Sequence, residues 1–245
     1  MPPKLLTGLT VLAGLLAPQV ASCGETQALR GVVELFTAQG CVSCPPADAA
    51  FEKLVHQGDV VALAYHVDYW NYLGWSDTLG TKENTERQYA YAKGLGRSNV
   101  YTPQAVINGR DHVNGADLAA INTRLDTLKT KGTGLSVPVS ASMRGDEVDI
   151  DIGNGVGKAE VVVAYFHREQ TVEVLKGENK GRKASYLNSV YDVQTVGRWE
   201  GLPMRLTLPT TVIKSEDRDG FAILLQTAQE NGAPSSIIGA TVFIP

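Results

Sequence analysis

The sequence predicts an α/β N-terminal domain followed by an all-β, sandwich-like C-terminal domain. Three observations carry that reading. From residue 31 to about residue 131, strand-like and helix-like periodicities alternate. Residues 135–245 hold strand patterns alone. A polar, glycine-bearing linker at residues 129–134 separates the two stretches. At 245 residues the chain is long enough for two small domains or one large one.

Residues 1–22 have the parts of a secretory signal: Lys4 as the positive start, an apolar run over residues 5–17, and a small-residue exit at Val20, Ala21 and Ser22. The run is shorter than the roughly 20 residues of a membrane span. Val20-Ala21-Ser22-Cys23 resembles the bacterial lipobox, which makes Cys23 the expected lipidation site. Ordinary cleavage near the same point leaves Cys23 a free thiol instead. Either way the expected location is outside the inner membrane, periplasmic or lipid-anchored in the envelope, where thiol pairs persist oxidised.

Residues 30–131 form the expected α/β domain. Residues 32–36 read as a short buried strand, residues 46–56 as a helix with Ala50, Phe51, Leu54 and Val55 on one face, and residues 60–67 as a second, nearly continuous apolar strand. Strand, helix, strand implies parallel pairing with a right-handed crossover. Residues 68–99 look like an insertion: an aromatic turn, residues 68–75, and a helix over residues 81–95. Residues 104–107 follow as a strand ending in the turn Asn108-Gly109, and residues 118–129 as a final helix. In the expected β-sandwich, residues 135–245, eight short strands recur without helical pattern, and Val148, Ile150 and Ile152 alternate with Asp149 and Asp151. Its longest connection, residues 176–188, is basic and glycine-rich, which reads as a solvated loop or a binding element.

Net charge is −4, from 22 basic and 26 acidic residues, with no polybasic run. Nothing in that balance favours a nucleic acid, and membrane contact is expected only through a lipid on Cys23. The chain has three cysteines, and Cys41 and Cys44 stand between a strand and a helix. A helix N-terminus presents free N–H groups and partial positive charge, which favour a thiolate. Lowering a thiol from about 8.5 to about 7 takes roughly 2 kcal/mol, within reach of such a site. Cys41 is then the nucleophile and Cys44 the resolving thiol. A structural disulfide closing so small a loop constrains little chain entropy, and a zinc site lacks further ligands at motif spacing.

FTAQGCVSCPPAD, VVALAYHVDYW and VYTPQAVINGR, with the 118–129 helix, resemble a thioredoxin-fold domain. With HVDYWNYLGW and ENKGR added, the chain is similar over most of its length to an uncharacterised family of secreted bacterial proteins, a domain of unknown function with a thioredoxin-like N-terminal half. The resemblance implies that Cys41 and Cys44 are a redox pair and that Pro103 is cis. Thr102 then offers its backbone to an extended substrate. Two positions depart from the thioredoxin pattern. Gly40 replaces the aromatic residue before the first cysteine, and Glu34, the candidate proton acceptor, stands one residue further from the pair than the family's buried acid.

His66 ends the second strand, on the edge where such sheets carry their sites. Three roles are open to it: a hydrogen-bonded strand end, support for a thiolate, or a copper ligand with Cys41 and Cys44, similar to thioredoxin-fold copper chaperones. Tyr69 and Trp70 either pack the insertion against the sheet or, if they face the cysteines, form a wall for a substrate. The expected function is a thiol-disulfide oxidoreductase without a cofactor, acting on a disulfide- or thiol-bearing protein. The alternatives are a copper-binding assembly factor and a non-catalytic binding module.

Overall fold

The computed structural model describes residues 29–212, 220–230 and 232–244. The signal-like segment and Cys23 lie outside the described residues. The first strand, β1 (Gly31–Thr37), is joined through helix α1 (Pro45–Gln57) to β2 (Val60–His66), which runs parallel to it. Every residue of both strands is buried, as expected of apolar runs covered on two faces. Pro45 and Pro46 occupy the first helical positions, where the absent N–H groups are not needed, and Gly58 ends α1 with a left-handed φ of 69°.

Helix α2 (Lys82–Gly94) starts at Thr81, whose side chain accepts from the Asn84 N–H. Strands β3 (Gln104–Ile107) and β4 (Asp111–Asn114) form a hairpin about Asn108-Gly109, both at positive φ. Helix α3 (Leu118–Thr130) is capped by Asp117. Beyond it come β5 (Val139–Arg144), β6 (Glu147–Ile152), the long pair β7 (Ala159–Glu173) and β8 (Lys183–Trp199), β9 (Met204–Pro209), β10 (Gly220–Ala228) and β11 (Pro234–Phe243). Among the described residues, no helix is long and apolar enough to cross a membrane.

The protein is thus mixed α/β, mostly sheet, with three α-helices among the described residues. One mixed sheet holds eight strands in the order β11-β10-β7-β8-β2-β1-β3-β4, and β5-β6-β9 form a smaller sheet. Helices α1 and α3 cover one face of the β1–β2–β3 region through Phe51, Leu54, Ile121 and Leu125. On the other face Phe36 and Tyr65 pack with Tyr91 of α2 and with Leu224 and Ile237 of the C-terminal strands. The small sheet is stapled to β7 and β10 by Ile150, Val163, Trp199 and Ile223.

Two expectations change. The all-β half does not hold its strands to itself: β7, β8, β10 and β11 extend the sheet of the first half, joined at the single register pair Ala64↔Ser189. The strands expected at 160–167 and 172–175 merge into β7, and the expected loop 176–188 is strand from Lys183 onward. Paired to each other over this length, β7 and β8 satisfy their backbones while their outer part is mostly exposed, so the local pattern there looks like loop.

Candidate functional site

Beyond Thr37 the chain turns through residues 38–40 and reaches Cys41; Cys44 then stands at the N-cap of α1. The two cysteines form a disulfide with a Cα–Cα distance of 5.4 Å. Both are fully buried, although Val42 between them is 62% exposed. The Thr102 hydroxyl donates to Cys41 Sγ at 3.3 Å and accepts from the Trp70 indole Nε1–H at 2.7 Å. Ser43 Oγ is 3.4 Å from Cys41 Sγ and donates to the Thr102 carbonyl at 3.4 Å. The Thr102–Pro103 bond is cis.

Trp70 also explains the glycine before the first cysteine. A Cβ on Gly40 would meet Trp70 Cβ at 3.3 Å, so the absence of a side chain at 40 lets Trp70 of the inserted segment pack against the turn before Cys41. Tyr72, 78% exposed, stacks on Trp70 with ring centroids 6.4 Å apart. Tyr69 lies 6.0 Å from the same indole, and burial pushes its hydroxyl up to about 12. The structure therefore brings Cys41, Cys44, Thr102, Pro103, Trp70 and Tyr69 to one place.

Glu34 and His66 have other partners. The Glu34 carboxylate, fully buried, pairs with Arg87 Nε at 2.8 Å and accepts from the Tyr91 hydroxyl. Arg87 in turn donates to Gln226 Oε1 at 2.9 Å, which ties α2 and β1 to β10. Buried His66 hydrogen-bonds through Nδ1 to Asp77 Oδ2 at 3.0 Å and packs edge-on against Tyr186. The neighbouring Asp68 accepts from Thr85 Oγ1 at 2.6 Å. Burial works to lower the pKa of His66, but the charge and hydrogen bond of Asp77, aided by Asp48, leave it raised. Burial works the other way on Asp77, and His66 with the Gln39 and Leu79 N–H groups outweighs it, holding the carboxyl below its usual range. Among the described residues, no three His, Cys, Asp or Glu side chains are placed to hold a metal ion.

Three contributors were not singled out from the sequence. Asp48 follows Cys44 by four residues, so helix periodicity puts the two on one face of α1. Its carboxylate accepts from Thr37 Oγ1 at 2.7 Å, and burial, partly offset by Thr37, His66 and Arg182, pushes its pKa up to about 6. A cavity of about 10 Å³, lined by Thr37, Asp48, Glu52 and Tyr186 among others, gives it room for one water. Gln39 gives its N–H to Asp77 at 2.6 Å and takes the Trp75 indole N–H at 2.8 Å, bracing the turn before Cys41. Asn179, between β7 and β8, donates to the carbonyls of Gln39 at 2.8 Å and Cys41 at 2.9 Å. Only Asp48 carried a legible signal, its helical spacing from Cys44.

Fold and site together define a class: a mixed α/β protein with a disulfide set between a strand end and a helix start. The chain belongs to the family described as Protein of unknown function (DUF1223), which matches residues 32–226. It is similar to a protein of Agrobacterium tumefaciens solved by X-ray crystallography, at 60% sequence identity and a TM-score of 0.83, over 89% of this chain and 95% of that one. No curated protein matches it.

Proposed function

We propose that this protein is a thiol-disulfide oxidoreductase of the cell envelope, with residues 30–131 as its thioredoxin-like part. The carrying observation is the Cys41–Cys44 disulfide at the start of α1, with the Thr102 hydroxyl 3.3 Å from Cys41 Sγ. Supporting it, β2-β1-β3-β4 has the strand order and directions that the thioredoxin resemblance implies. A purely structural bridge across so short a loop would contribute little stability.

In the reducing direction the Cys41 thiolate attacks one sulfur of a substrate disulfide. A new Cys41–substrate S–S bond forms, the substrate bond breaks, and the second substrate sulfur leaves as a thiolate. Cys44, deprotonated, then attacks Cys41 Sγ, releasing the first substrate sulfur and closing the Cys41–Cys44 disulfide. Two electrons pass from the pair to the substrate, and the two thiol protons end on the products. The oxidising direction is the same sequence reversed. Thr102 donates to whichever charge develops on Cys41. Asp48, rather than Glu34, takes the proton of Cys44: it shares the Cys44 face of α1, while Glu34 is committed to Arg87.

The test is insulin reduction with dithiothreitol as electron donor. The unaltered chain should accelerate it and Cys41→Ser should not; equal rates overturn the proposal. Cys44→Ser should accumulate a mixed disulfide that names the physiological partner.

A further inference from the structure

The loop between β7 and β8, which carries the ENKGR motif, is absorbed neither by the exchange chemistry nor by the α/β part of the fold. Its backbone is closed on itself: the Val174 N–H donates to the Arg182 carbonyl at 2.9 Å, and the Gly181 N–H to the Val174 carbonyl at 2.7 Å. Val174 is fully buried, so the loop is anchored at its root. At its tip the Asn179 amide holds the carbonyls of Gln39 and Cys41. A Cβ on Gly177 would meet Trp75 Cβ at 3.4 Å, so the loop also rests on the aromatic insertion. A hairpin from the C-terminal half thus forms one wall of the disulfide site.

The wall is charged. Lys176, Lys180 and Arg182 are exposed, and none of them is in an ion pair among the described residues. Each lies within three residues of Asn179, hence within about 11 Å of its Cα along the chain. Glu178 is the one acid in the loop, and Lys183 stands opposite Glu173 in the hairpin register, so neither alters the sign. The positive charge of Arg182 also favours the ionised form of Asp48. The chain as a whole carries −4, so a cationic wall beside its disulfide runs against the protein's overall charge.

We infer that the β7–β8 loop is the specificity element of this site and that it selects thiol or disulfide partners carrying acidic groups close to the reacting sulfur. The inference rests on the redox reading above and deepens it. An anionic group approaching Cys41 meets unpaired cations at the entrance, which raises its encounter rate and steadies the mixed disulfide; a cationic one is disfavoured.

Three small disulfides separate the possibilities: dianionic glutathione disulfide, dicationic cystamine and neutral bis(hydroxyethyl) disulfide. Rates of their reduction by the full chain, with dithiothreitol as donor, are each corrected for the uncatalysed reaction and divided by that for the neutral probe. General losses of activity then cancel. At low ionic strength the glutathione-to-cystamine ratio should exceed one and fall toward it as salt is added. In Lys176→Glu/Lys180→Glu, both side chains being exposed, the ratio should drop roughly tenfold or more. A ratio indifferent to salt and to the double substitution overturns the inference while leaving the oxidoreductase standing. No acceleration with any of the three probes removes the redox reading and this one with it. The salt series on the unaltered chain decides the matter even if the double variant misfolds.

Discussion

Glu34→Gln separates a structural role from a catalytic one. Glu34 is fully buried and its Arg87 partner is only 11% exposed, so removing the negative charge leaves a guanidinium with little water to replace it. Breaking a buried pair from one side costs about 3–5 kcal/mol, and the small exposure of Arg87 argues for the lower end. For a chain of this size that lowers Tm by roughly 6–12 °C. The double variant Glu34→Gln/Arg87→Met removes both charges and should recover much of the loss, because a well-packed apolar substitute often equals a buried ion pair. Urea unfolding at neutral pH measures all three chains. The pH–rate profile of disulfide reduction, taken below the melting range, should match that of the unaltered protein in both variants. A stability loss under about 1 kcal/mol, no recovery in the double variant, or a displaced pH profile would refute the assignment of Glu34 to scaffolding.

Asp48→Asn should behave in the opposite way, displacing the pH–rate profile. Its carboxyl sits at about 6 against 3.8 for the unperturbed group. The raised value means that the unfolded chain ionises first as pH climbs through that interval, so Asp48 costs stability above it. The variant should therefore be more stable than the parent at pH 8 by about 1–2 kcal/mol, discounted for partial exposure, and equal to it below pH 4, as urea titrations at the two pH values will read. His66 is raised as well, and its ion pair with Asp77 contributes stability below the unfolded histidine value of 6.5 that is lost as pH rises through the folded one. His66→Gln should flatten that part of the stability–pH curve. Asp77→Ala strands the His66 ring and the Gln39 and Leu79 N–H groups, and should cost about 3–5 kcal/mol in the same unfolding assay. Trp70→Phe deletes the indole bond to Thr102 while keeping a ring over Gly40, and a loss near 1 kcal/mol is expected.

Local chemistry was legible where each element settles its own backbone. Continuous apolar runs marked β1 and β2, Asn108-Gly109 marked the β3–β4 hairpin, and helix periodicity marked α1 and α3 to within a residue or two of their ends. The Cys41–Cys44 turn followed from its place between β1 and α1, whereas cis Pro103 was what the thioredoxin resemblance implied. The aromatic insertion was visible too, but not that Trp70 would reach Thr102, because a loop's direction depends on what it packs against.

The unread remainder has a common cause: it depends on pairing between distant parts of the chain. Periodicity reports which face of a strand is buried and says nothing about its edge neighbour, so β8 beside β2, joined at Ala64↔Ser189, has no local signature. Once that edge contact exists, the rest is geometric. Asn188 reaches the Ala62 carbonyl at 2.9 Å, Asn84 bridges the carbonyls of His66 and Val190, and the hairpin beyond them is aimed so that Asn179 arrives at Cys41. The partners of Glu34 depend on distant pairing in the same way. Its strand left open whether it is buried or on a partly exposed edge; it is fully buried, its partner Arg87 comes from the inserted α2, and Gln226, which Arg87 also holds, comes from β10. The two buried carboxylates differ in what the fold delivers to them: Glu34 receives the Arg87 guanidinium, whereas Asp48 receives the Thr37 hydroxyl and burial pushes its pKa up to about 6.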